Sequence, residues 1–570
     1  MKYFLFLLIL SVSQVLWCQK PILEQTSELY EVITRFKADN GSLNRFYYMF
    51  NSPERRQRIE THYKNYISEL DTYDFDQLSQ GGKVDYILFK RNLHFFIGQL
   101  KDQNREYQEL SKWLKVGEAI YPIENKRRRG LKLDAQKTAQ LISDIYTAVA
   151  KSRVELSDTD PFLTPALARR ATQTILDQVE GLESIYEFYN GYDPLFSWWV
   201  TQPYKSLHQE LTAYAQVFEQ KIDPNTQIED DGSGILGVPI GASSVQSLLD
   251  YEMIPYTPQE LITIAQKEFA WCDEQLLKAS TAMGYGDDWR AAQESVKQTR
   301  VEVSEQPEAM LDLYHQSIDF LKSNDLLTIP PLAEETWRVT MLSPERQRIA
   351  PFFLGGEVLQ IAYPTDEMTH EEKMMSMRGN NPHFNRATVH HELIAGHHLQ
   401  QFVNRRNKAY RNFRTPFWTE GWALYWELLL WEKDFPRGPE DRIGMLFWRM
   451  HRCARIIFSL NYHLGNWTPQ ECIDFLVERV GFERANAEGE VRRSFTAGYG
   501  PLYQLAYMTG GLQFMALKRE LVDTGKMTFK EYHDAVMAQN AMPVEMVRAL
   551  LTNQELTEDF KSRWRFYEHK

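Results

Sequence analysis

Four histidines and one glutamate fall within nine residues of the stretch Val389-His390-His391-Glu392-Leu393-Ile394-Ala395-Gly396-His397-His398-Leu399-Gln400, in a chain with only 14 histidines in 570 residues. Imidazole nitrogen suits zinc, and a His-Glu dipeptide on a helix is the core of a zinc hydrolase pattern. In that pattern two histidines at i and i+4 share a metal, and the glutamate acts as general base on the metal-bound water. Here position i+4 from His391 is Ala395. The next histidines, His397 and His398, stand at i+6 and i+7. On an ideal helix, i+6 points roughly 120° away, and i+7 lies roughly 10 Å along the axis. The helix must therefore be distorted. Gly396 is the permissive residue, and a π-bulge is one way to absorb the extra residues. The spacing predicts His-Glu on a helix, a break at Ala395-Gly396, and then a histidine, His397 or His398, returning to the same metal.

A third ligand is sought on a second helix. Phe417-Trp418-Thr419-Glu420-Gly421-Trp422-Ala423-Leu424-Tyr425 reads as a helix capped by Thr419 and continuing to about Trp431. It delivers Glu420, 23 residues after His397, as a carboxylate that leaves the fourth metal position open. Chemistry of this kind also needs a donor to a developing oxyanion. Tyr499, Tyr503, Tyr507, His463 and Arg493 are the candidates further along the chain.

The elements that must position these groups are mostly helical. Apolar residues recur at spacings of three and four over 24–36, 52–70, 83–101, 105–116, 135–157 and 163–188. Thr257-Pro258-Gln259-Glu260 is a capping box opening a helix to about Met283, and another runs over 304–324. Residues 336–341 and 357–363 read as strands whose edge is able to hold an extended peptide. The aromatic group 192–199 is expected to pack in a core.

At 43% hydrophobic and 13% aromatic residues the chain is globular, and its net charge of −13 argues against general binding of nucleic acid. The first 18 residues read as a signal peptide, which implies a secreted or periplasmic protein. Lipid attachment at Cys18 is disfavoured by Trp17, which stands where a small residue is expected. No later stretch reads as a transmembrane segment. Cys272, Cys453 and Cys472 are too few for a disulfide framework, and buried free thiols are expected rather than a Cys453–Cys472 bridge. The domain reading is a signal peptide over 1–18, a helical lobe over 19–230 and a catalytic helical lobe over 231–570.

The motifs His391-Glu392-Leu393-Ile394-Ala395-Gly396-His397-His398-Leu399-Gln400 and Glu420-Gly421-Trp422-Ala423-Leu424-Tyr425 resemble those of the bacterial domain of unknown function 885 family. The likeness continues through Arg455, His463-Leu464-Gly465-Asn466-Trp467-Thr468, Pro501, Leu505-Ala506-Tyr507 and Gly510. This chain has Ala395, Ser459 and Tyr503 where that family usually has Pro, Asp and Gln. The resemblance implies a mainly α, multi-helix, deep-channel fold of the thimet-oligopeptidase and carboxypeptidase Taq type, with a small β-sheet before the active-site helix. It also implies His391, His397 and Glu420 as ligands of one zinc per chain, and Glu392 as base. The expected function is a zinc metallopeptidase acting on short peptides, with the oxyanion donor among Tyr507, His463 and Arg493. Hydrolysis of another amide conjugate, or a non-catalytic binding role with structural histidines, are the rival readings.

Overall fold

A recurrent local signal starts the long helices: a Ser, Thr, Asp or Asn side chain that accepts from a backbone N–H of the first turn, followed by proline, whose missing N–H costs nothing there. Ser52-Pro53, Thr164-Pro165, Asp193-Pro194, Thr257-Pro258, Asn381-Pro382, Thr415-Pro416 and Thr468-Pro469 all do this. The result, in a computed structural model that describes residues 26–226, 229–347, 352–411 and 413–568, is 69% helix and 2% strand. The fold is mainly α. The signal-peptide reading over 1–18, with Cys18, lies outside the described residues. Among the described residues no helix is long and apolar enough to cross a membrane. Cys272, Cys453 and Cys472 are buried and free.

The chain divides into two compact units, and the division is not one cut near residue 230. One unit is Glu31–Asp74 with Phe89–Glu229; the other takes Phe75–Leu88 and Asp230–Lys570, with the described residues up to Tyr30. In the first unit the helices Ala135–Ser157, Pro165–Tyr189 and Pro194–Gln220 close a core through residues such as Ile142, Val149, Ile175, Leu182, Leu207 and Tyr214. The two segments expected over 83–101 and 105–116 are instead one helix, Gln80–Glu109, and a single turn. The aromatic group at 192–199 is not core. Phe196 is fully buried, but Tyr192 and Trp198 are each 81% exposed, because the inward stripe of this helix runs through Phe196, Val200 and Leu207 and leaves Trp198 on another face.

The second unit carries the histidine cluster. Its site is built from α1 (Pro382–Glu392), α2 (His397–Asn404), α3 (Pro416–Glu432), α4 (Pro439–His463), α5 (Arg484–Thr496) and α6 (Tyr503–Lys518). Strands β1 (Arg338–Met341) and β2 (Val358–Ile361) pair in parallel, Arg338 opposite Val358, and precede α1. Helix α3 is buried on every face from Glu420 to Leu430, with Trp418, Trp422 and Trp426 fully buried and Glu420 and Glu427 the only charged groups in that span. It packs against α6 at glycine: a Cβ on Gly510 would stand 2.0 Å from the Phe417 carbonyl oxygen, and one on Gly421 would stand 2.5 Å from Gly510 Cα. Helix α1 is similarly set on α4, where Trp448 Nε1 donates to Phe384 O at 2.9 Å.

Gly510→Ala is expected to push α3 and α6 apart and destabilise the protein by about 1–3 kcal/mol. Gly98→Ala, where an added methyl meets nothing within 4 Å, should gain about 0.5–1 kcal/mol. Chemical denaturation of both variants checks the contrast, and equal effects would contradict it.

Candidate metal centre

Helix α1 starts at the Asn381 cap and ends at Glu392, with His390, His391 and Glu392 buried in its last turn. The next four residues turn the chain, and α2 begins at His397. The break expected at Ala395-Gly396 is present and begins earlier, at Leu393. The Ile394–Ala395 peptide is cis. Gly396 N–H donates to His390 O at 2.9 Å. A Cβ on Gly396 would lie 1.8 Å from His391 O, so no larger residue fits this fold-back. Trp422 Nε1 of α3 donates to Ala395 O at 2.9 Å and pins the link.

The turn brings His397 beside His391, with ring centroids 4.9 Å apart and planes at 87°. Helix α3 begins earlier than the Thr419 cap reading, at Pro416 with Thr415 as cap, so Glu420 sits beyond its first turn. His397 Nε2 lies 3.1 Å from Glu420 Oε2, and His391 Nε2 lies 3.6 Å from the same oxygen. Ligand atoms of a tetrahedral zinc site, each about 2.0–2.1 Å from the ion, stand about 3.3 Å apart. The two separations from Glu420 Oε2 bracket that value. Donor atoms of His391, Glu392 and His397 also lie within 4.8 Å of one another, a buried group that could hold a metal ion. His398 faces elsewhere, its Nε2 2.7 Å from Ala333 O. His390 is fully buried beside Phe435 and pushed down to about 3 by burial.

Two residues that the motif reading did not assign aim the imidazoles. His391 Nδ1 lies 2.7 Å from Glu427 Oε1, a close contact poorly aligned for a hydrogen bond, and Arg452 donates to that oxygen at 3.1 Å. His397 Nδ1 lies 3.3 Å from Gln400 Oε1, and Gln400 Nε2 donates to Thr419 O at 3.1 Å, which fixes the amide. With Gln400 bonded to one Nδ1 and the Glu427 carboxylate beside the other, both Nε2 atoms face Glu420. The signals were present in the sequence: Glu427 is seven residues after Glu420, on the same face of α3, and Gln400 is one turn after His397.

Burial raises the Glu420 carboxyl, but the charges of His397 and His391 outweigh it and hold Glu420 well below its usual range. Burial would lower His397, yet Glu420 pulls it up to about 9. Glu427 is likewise held at about 2, burial being outweighed by the Arg452 charge and the contact with His391. Glu392 is shifted upward by burial, against the opposing pull of His391 and His397.

His391, Glu392, His397 and Glu420 line a cavity of about 240 Å³ that also takes in Arg493, Tyr499, Tyr503 and Tyr507. Tyr503 Oη donates a short hydrogen bond to Glu420 Oε1. Tyr507 stacks on His391 at 6.0 Å and reaches Tyr503 Oη at 3.5 Å. An adjoining, mostly apolar cavity of about 470 Å³ shares Glu420 and Tyr503 and is walled by Leu248, Pro416, Pro501 and Leu502. His463 is not in either lining. It ends α4 two turns past Arg455, packed on Tyr462 and Phe495, with neither ring nitrogen hydrogen-bonded, and burial lowers it to about 4.

A family model described as "Bacterial protein of unknown function (DUF885)" matches residues 48–551. The chain belongs to this family. Among solved structures, it is similar to a candidate lipoprotein of unknown function from Shewanella oneidensis, at 16% identity and a TM-score of 0.64, over 92% of this chain and 99% of that one. A candidate lipoprotein from Colwellia psychrerythraea is also similar, at 16% identity and a TM-score of 0.56, over 88% and 92%. At such identity the likeness shows the shared fold. No curated protein matches.

Glu427→Gln should weaken zinc binding about 10- to 100-fold, as loss of a partner behind a metal-binding histidine does. Competition with a chromophoric chelator measures this, and thermal unfolding of the metal-free protein reads separately the cost of stranding Arg452. Unchanged affinity would contradict the role given to Glu427.

Proposed function

We propose that the protein is a zinc-dependent peptidase acting on short peptides, exported by its leading segment 1–18. The observation that carries this reading is the meeting of His391 Nε2, His397 Nε2 and the Glu420 carboxylate at one buried point, with Glu392 beside them in a cavity. His391, His397 and Glu420 would hold the ion. Bound there, zinc supplies a Lewis acid for the scissile carbonyl and lowers the pKa of a water.

Glu392 is the proton carrier. Its upward shift by burial makes it a better base than an exposed carboxylate, able to take the attacking water's proton and hand it to the leaving amine. Glu427 and Gln400 keep the two imidazoles in the tautomer that presents Nε2. Tyr503 has its proton committed to Glu420, whereas the Tyr507 hydroxyl makes only a long donation, 3.5 Å, to Tyr503 Oη. Tyr507 is therefore the donor we assign to the developing oxyanion. His463, at the end of α4, takes no part. The segment of residues 352–355 and Gln360 lines the cavity, and the backbones of Leu354 and Gln360 are bonded to each other there.

Glu392→Gln should keep zinc and fold and lose turnover by about 10²- to 10⁴-fold. Hydrolysis of a peptide library by the zinc-loaded wild type and variant checks it. Full activity in Glu392→Gln would remove the base from this account.

A further inference from the structure

Four arginines line the cavity beside the histidines; Arg346 is exposed, and of the three buried ones two are spoken for. Arg452 donates to Glu427 at 3.1 Å and Arg455 to Glu490 at 2.7 Å. The third, Arg493, is only 7% exposed and makes no hydrogen bond or ion pair with any described residue, and its Nε is buried without a partner. Glu490, one turn before it, is taken by Arg455 and stands 3.4 Å from His451. Arg493 is instead held by rings: its guanidinium carbon lies 4.8 Å from the Tyr499 centroid and 5.9 Å from that of Tyr503.

A guanidinium always carries its charge, and burying one without an acceptor is costly. Aromatic faces recover part of that cost and offer no hydrogen-bond acceptor in the ring plane. The planar fork remains able to take a carboxylate through two parallel bonds. We propose that Arg493 anchors a substrate carboxylate in this cavity, which makes the enzyme selective for peptides carrying a free carboxylate close to the cleaved bond. The inference rests on the peptidase reading of the same site. The adjoining apolar cavity, reached past Glu420 and Tyr503, supplies room for a neighbouring apolar side chain. The carboxylate has two sources, a peptide C-terminus or an acidic side chain. If Arg493 served only to steady Tyr499 and Tyr503, it would give no preference between an acid and its amide.

The test is equilibrium binding by titration calorimetry in the full-length, zinc-loaded Glu392→Gln protein, where peptides are not consumed. The probes are acetyl-alanyl-alanyl-leucine as free acid, the same peptide as C-terminal amide, and acetyl-alanyl-alanyl-glutamate amidated at its C-terminus. At least one carboxylate-bearing probe should bind about 10- to 100-fold more tightly than the leucine amide, the scale of a charge-assisted pair. Which probe holds the advantage tells C-terminus from side chain. Adding Arg493→Met should erase the advantage, and Arg493→Lys should restore part of it. Equal binding of all three probes, no binding of any, or a preference that survives Arg493→Met overturns the inference. A preference without hydrolysis by the wild-type enzyme contradicts the peptidase reading alone, and hydrolysis indifferent to the carboxylate contradicts the anchor alone.

Discussion

The structure around the histidines depends on how one buried negative charge, that of Glu420, is answered. Among the described residues no lysine or arginine pairs with it; its partners are His391, His397 and the Tyr503 hydroxyl. Neighbouring carboxylates are treated differently. Glu427 has Arg452, and Glu490 has Arg455. A buried charge left to imidazoles either draws a proton onto one of them, as the raised His397 indicates, or takes a cation in its place. A metal held between Glu420 and the two Nε2 atoms, as we propose, would meet the same electrostatic demand in place of that proton.

Meeting this demand requires backbones to come unusually close. The link after Glu392 must fold back on its own helix, which only Gly396 permits, and α3 must lie almost on α6, which Gly421 and Gly510 permit. The first approach carries His397 to His391; the second sets Tyr503 and Tyr507 beside Glu420. Indole and amide bonds then fix what the glycines allow: Trp422 holds the link through Ala395 O, and Gln400 ties His397 to α3. The positions of the ionisable groups are thus set by fixed contacts of the scaffold and not by flexible loops.

Much of this is readable in the chain, for identifiable reasons. Helix starts were legible because their signals are local: Thr257-Pro258 with Glu260 forms the expected capping box. What was not legible depended on tertiary contact. Spacing called for a break at Ala395-Gly396, but it gave no sign that the helix ends as early as Glu392 or that Trp422 of another helix holds the link. Glu427 and Gln400 stand at helical spacing from Glu420 and His397, but their place behind the imidazoles depends on how α1, α2 and α3 meet. His463 looked like a site residue by type, yet it lies past the cavity at the end of α4. The aromatic run at 192–199 was assigned to a core by composition, although helix phase turns Trp198 outward.

The central claim is that His391, His397 and Glu420 form one metal site. Elemental mass spectrometry on the purified mature protein, beside the His391→Ala/Glu420→Ala double variant, tests it most directly. The account predicts about one zinc per wild-type chain and loss of that zinc in the variant. A wild-type chain that holds no metal even after zinc is supplied, or a double variant that keeps it, would contradict the account and leave the histidine cluster a structural feature.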